Sequence, residues 1–149
     1  MQRMVFSALV ACIGLGALPF VDAAGLSATG NVIAVVAGEL FVGEAKGYLN
    51  GSGTFSIHSE ADPALICLGR FTSSAALGGS GRMDCNDGVT GTIRFQRLTV
   101  FRGYGTGKTS RGEMSFAYGL APAEAAPYLK LPDGKKLTSS GAKLALVDS

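Results

Sequence analysis

Tryptophan is absent from this 149-residue chain, histidine occurs once, and charged residues make up only 16% of it. An average globular domain carries about 25%. Glycine, at 22 residues, takes up much of the difference. Glycine weakens a helix by up to about 1 kcal/mol per residue, so low charge with abundant Gly, Ser and Thr argues against a helical bundle and for a turn-rich β protein. The hydrophobic fraction, 47%, excludes a disordered chain. The length suits one domain with a modest core.

Several chemical signatures are missing. With His58 alone and no C-x-x-C spacing, there is no cluster for zinc. His58 is followed by Glu60 and Asp62, but no G-x-S-x-G context supplies a nucleophile. Two carboxylates without further ligand spacing do not make a calcium loop. "RGYGTGKTSRG", residues 102–112, has the Gly-Lys-Thr ending of a phosphate-cradling loop. The required glycine five residues before Gly107 is Arg102, and an alternating strand follows where a helix is needed. The stretch therefore reads as a flexible, basic glycine loop between strands. No cofactor, metal, nucleotide or nucleic acid is expected, and with no catalytic constellation the role reads as non-enzymatic.

The N-terminus has the layout of a secretory signal. Arg3 precedes an apolar run from Met4 to Leu18, Pro19 breaks it, and Val21 and Ala23 suit a cut after Ala23. Two alternatives stay open. "LVAC", residues 9–12, resembles a lipobox, which would lipidate Cys12 and give an outer-membrane lipoprotein, the one route to a membrane partner. An uncleaved anchor is the other, although the run barely reaches the ~20 residues of a membrane span. All three place the domain outside the cytoplasm, periplasmic or secreted. Without Cys12, Cys67 and Cys85 remain, an even count that points to a disulfide in an oxidising compartment. Two free thiols are the alternative.

Beyond the signal, one pattern recurs: a glycine, then apolar residues two and four positions later. It runs through Gly38-Leu40-Val42, Gly53-Phe55-Ile57, Gly81-Met83-Cys85, Gly91-Ile93-Phe95 and Gly112-Met114-Phe116. Period-two alternation marks half-buried strands. "NVIAVVA", 31–37, is apolar enough to be buried on both faces, and Asn86-Asp87-Gly88 is hairpin chemistry. The strands read approximately 31–37, 39–45, 53–58, 64–72, 80–85, 89–97, 98–102 and 111–118. About eight short strands predict an all-β fold, a small antiparallel barrel or sandwich. Cys67 and Cys85 fall on the apolar parity, so their bridge is expected to tie two strands through the core. Pro122 and Pro127 allow one short C-terminal helical turn. The organisation is thus a signal (1–23), a β domain (24–120) and an extension (121–149) that packs on the domain or is partly disordered, with "KLALV" a weak final strand.

Charge is unevenly spread. From Arg70 to Arg111 seven cations face two acids, a net +5, whereas Glu39 to Asp62 carries net −3. Arg82 and Arg94 fall on the polar parity, with Tyr104 beside them. Arg82, Arg94, Arg102, Lys108 and Arg111 are the candidate anion-binding residues. The role is structural or binding: either this is a solvated basic face with no partner, or it meets an anionic envelope component, such as a phosphate-bearing lipid, a polysaccharide or an acidic envelope protein.

Two resemblances accompany this reading. "CLGRF" (67–71), "GGSGRMDCNDG" (78–88) and "RGYGTG" (102–107) together resemble small exported bacterial proteins of uncharacterised function, over most of residues 38–131; this implies no activity. "MDCNDG" with its following strand is similar to the cysteine hairpin of periplasmic lysozyme inhibitors, also small β-barrels. That likeness covers one hairpin, without the family's inhibitory Ser-Ala-Ser-Gly loop, and implies as an alternative the inhibition of an envelope-degrading enzyme.

Overall fold

A computed structural model describes residues 27–74 and 78–149. The signal segment, Cys12 and the cut after Ala23 lie outside the described residues. Eight antiparallel strands follow one another round a closed barrel: β1 (Ser27–Val36), β2 (Glu39–Tyr48), β3 (Ser52–Ser59), β4 (Ile66–Ser74), β5 (Gly78–Cys85), β6 (Thr90–Thr99), β7 (Arg102–Thr109) and β8 (Glu113–Tyr118). Each pairs with its successor, and β8 closes on β1 with Val32 opposite Tyr118 and Val36 opposite Met114. The fold is all-β, and of the two predicted architectures it is the barrel. Asn86-Asp87-Gly88 makes the β5–β6 turn, with Gly88 at φ 90°.

Alternation sorts every strand into a lumen side and an outer side. The lumen holds Val32, Val36, Phe41, Ile57, Met83 and Phe116, among others. Large rings are accommodated because glycines face them. A Cβ built on Gly69 would lie 2.0 Å from the Phe55 ring, and one on Gly105 2.6 Å from that of Phe116. Phe71, Phe95 and Tyr118 meet edge to face in a chain, with centroids 5.5 and 5.8 Å apart. The remaining void is about 40 Å³, far below the ~300 Å³ at which ligand pockets begin. This lumen is a core.

The same rule explains a strand that was misplaced. Residues 98–102 were expected as strand seven and 102–112 as a mobile glycine loop. Instead 102–109 is β7 itself, and the chain turns at Val100 and Phe101. Gly103, Gly105 and Gly107 occupy its lumen face beneath Tyr118, Phe116 and Met114 of β8. They leave no apolar signature because the neighbouring strand provides the side chains.

β1 is buried on both faces from Val32 to Val36, as its composition predicts. The outer cover is the C-terminal extension, which packs on the barrel. Helix α1 (Pro122–Ala125) and a 3-10 turn (Ala126–Tyr128) lead to a hairpin of β9 (Lys135–Ser140) and β10 (Lys143–Asp148), the last containing "KLALV". Leu120, Ala125 and Leu129 lie with Ile33, Val35, Leu40 and Ala117 in a second apolar cluster, flanked by Leu137, Leu144 and Leu146. Polar pins fix the cover. The Lys130 amide donates to the buried Ser115 hydroxyl at 2.8 Å, and Asn31 Nδ2 donates to the Leu120 carbonyl at 2.8 Å.

Cys67 and Cys85 are disulfide-bonded. The bridge ties two strands on the core side, as the parity predicts, and the two are register partners on the adjacent strands β4 and β5. Both sulfurs sit on the lumen side of one ladder, and Cys67 is fully buried.

Candidate functional site

The cover leaves the outer wall of β3–β7 to solvent, and register sets its chemistry. One row of outward positions runs Lys46, Thr54, Arg70, Arg82, Thr92, Lys108 across six consecutive strands. At about 4.8 Å per strand this belt is about 24 Å long. Arg94 lies one row away, opposite Ser80 and Thr106, and diagonal to both Arg82 and Lys108 at about 7–8 Å. Arg70, Arg82, Arg94 and Lys108 are exposed. Among the described residues none of the four makes an ion pair. Asp84 and Glu44 stand in the adjoining row, and Glu113, which ends the belt beyond Lys108, is held by Lys130 at 2.9 Å. That contact keeps the Glu113 carboxyl below its usual value and raises the Lys130 ammonium.

The five residues singled out from sequence therefore separate. Arg82, Arg94 and Lys108 share one wall. Arg102 is apart from them, 3.6 Å from Glu124 of α1. Arg111, in the β7–β8 turn, pairs with Asp87 of the neighbouring turn and lies 3.5 Å from Glu39. Its cluster continues inward, where the buried Ser59 hydroxyl donates to Glu39 Oε1 at 2.7 Å. Arg111 thus fastens three turns at one end of the barrel. Arg70 joins the belt although the sequence did not single it out; the clue was its parity opposite to that of Cys67 on one strand. Tyr104, on β7, packs against the cover, with its ring stacked on Tyr128 at 4.2 Å and its hydroxyl donating to Gln96 at 3.0 Å.

Other candidates are not assembled. His58 is on the outer side of β3 opposite Val42 and Ile66. The Asp62 carboxylate accepts from the Ala64 amide of its own loop at 3.2 Å. No group of three His, Cys, Asp or Glu side chains converges as for a metal among the described residues. The wall of hydroxyls and cations can hold anions by charge and hydrogen bonding.

The class defined by this architecture is a closed eight-stranded meander barrel with an apolar lumen and a polar outer wall, the reverse of a membrane-spanning barrel. In comparison with known proteins, no family model, curated protein or solved structure matches the chain.

Proposed function

We propose that the protein is an exported, non-enzymatic binding module of the bacterial envelope whose basic belt takes an extended anionic envelope component. The observation that carries this reading is the Arg70–Arg82 pair. Like charges set directly opposite in a ladder destabilise it, and these two are register partners of which neither makes an ion pair, with Asp84 in the adjoining row. Thr54 and Thr92 on either side add donors. The cations are spread across six consecutive strands, which suits a polymer lying across the strands better than a single small anion. The signal-like N-terminus and the disulfide support an extracytoplasmic site of action. Inhibition of an envelope-degrading enzyme, the rival reading, has the β5–β6 hairpin as its only support.

The test is titration of the protein with polyphosphate and with lipopolysaccharide at two salt concentrations. Wild type should bind, with affinity falling as salt rises. Combined Arg70→Glu, Arg82→Glu, Arg94→Glu and Lys108→Glu should abolish it, while Lys135→Glu, Lys136→Glu and Lys143→Glu on the C-terminal hairpin should not. Equal binding by the belt variant would remove the proposal.

A further inference from the structure

The β6–β7 turn differs from other turns among the described residues. Asn50-Gly51, Asn86-Asp87-Gly88 and Gly141 supply the residues that tight connections favour. Val100-Phe101 supplies a β-branched and an aromatic residue, and both stand in solvent, 68% and 63% exposed. Leu98, on the same outward parity as Arg94 and Gln96 and left without a register partner by the shift between Arg97 and Thr99, is exposed as well. Such a tip is costly in water and is not required for turning the chain.

Its surroundings give it a direction. The Phe101 carbonyl oxygen lies 2.0 Å from where a Cβ on Gly119 would stand and 3.9 Å from one on Gly30. The tip therefore sits against the end of β8 and the first turns of β1. On the other side of β1, Ser27 pairs with Tyr48, and the next residue, Leu49, is 78% exposed. Leu49, Leu98, Val100 and Phe101 thus rim one end of the barrel around the point where β1 begins. Cations flank them. Lys46 Nζ lies 5.6 Å from the Tyr48 ring centroid, Arg97 donates to the Ser73 hydroxyl, and Arg102 meets Glu124.

From this arrangement we infer that the β1-start end of the barrel seats on a phospholipid bilayer, with Leu49, Val100 and Phe101 in the acyl–headgroup boundary and Lys46, Arg97 and Arg102 at anionic headgroups. Convex apolar tips ringed by cations suit a soft, anionic, interfacial medium. A protein partner would need a matching cavity. The contact shares Lys46 with the belt; the rest of the belt lies on the side wall and stays open to its ligand when the end is seated.

The absence of tryptophan makes the test direct. Full-length Phe101→Trp carries a single tryptophan, whose emission is followed as phosphatidylglycerol–phosphatidylethanolamine vesicles are added. A blue shift, with quenching by brominated acyl chains, is expected. In flotation, full-length Val100→Asp/Phe101→Asp should partition at least about tenfold more weakly than wild type. Both chains carry the same N-terminal residues, so the difference reads the rim alone. Arg70→Glu/Arg82→Glu should partition as wild type does, which keeps this result apart from the belt's. Retained disulfide and circular dichroism confirm folding of each variant. Unchanged emission, or equal partitioning of the aspartate variant, overturns the inference. A blue shift that grows with protein concentration without vesicles also overturns it, assigning the rim to a second copy of the chain.

Discussion

Gly105 of β7 and Phe116 of β8 are register partners, and the phenyl ring fills the space a side chain at 105 would occupy. A Cβ there would also stand 2.1 Å from the Arg94 carbonyl oxygen, so the conflict is with backbone as well as ring. Gly105→Ala should destabilise by about 1–3 kcal/mol, read from urea unfolding. Gly88→Ala is a contrasting case: nothing lies within 4 Å of a Cβ at 88, and only the positive φ of 90° is unfavourable. Equal stability of Gly105→Ala and wild type would contradict the lumen packing.

The disulfide closes a separation of 18 residues, which corresponds to about 3 kcal/mol in the chain-entropy account. Cys67→Ala/Cys85→Ala should lose roughly that amount. Because Cys67 is fully buried, reductant should act on the native protein far more slowly than on the unfolded one. Mass measurement of the unreduced protein should find neither thiol of this pair free.

The C-terminal extension covers apolar wall, so detaching it should expose that wall. Leu129 is 7% exposed within the second cluster. Leu129→Asp places a charge there and should cost about 3 kcal/mol or more. Earlier proteolysis between 121 and 149 and binding of an apolar dye should accompany the loss. A variant as protease-resistant as wild type would show that the cover is held by other contacts.

Tyr118 is half-buried beside Phe95, and burial pushes its phenol above the ordinary value, an effect partly opposed by Arg97. The proton is thus held more tightly in the folded state. Its contribution is complete below the ordinary value of about 10 and is lost as pH rises from there through the raised value. Between pH 9 and 11, wild-type Tm should therefore fall more steeply than that of Tyr118→Phe. Parallel slopes would indicate that Tyr118 ionises as freely folded as unfolded.

Where side chains announce their own surroundings, the fold was legible in the sequence. The apolar β1, the Asn86-Asp87-Gly88 turn, the paired cysteines and the Pro122 helical turn all appear where residue chemistry requires them. β7 was hidden because its lumen face is glycine and its partners lie on β8, while the apolar letters nearby, Leu98, Val100 and Phe101, end β6 and form the turn after it. The belt was half legible for a related reason. Parity assigns Arg82 and Arg94 to the outer face, but pairing across the ladder decides that Arg70 meets Arg82. It also decides that Arg111 meets Glu39, 72 residues away in the chain.

The closed, filled lumen divides labour within each strand. Inward positions answer to volume and outward positions on β3–β7 to solvent, with no strand edge left open in the barrel. Such a wall works as a pegboard: Thr54, Arg70, Arg82, Thr92, Arg94 and Lys108 can be exchanged together without disturbing a single lumen contact. A library randomised at those six positions should therefore yield mostly folded barrels, so the chemistry of the wall can be rewritten while the shape stays fixed.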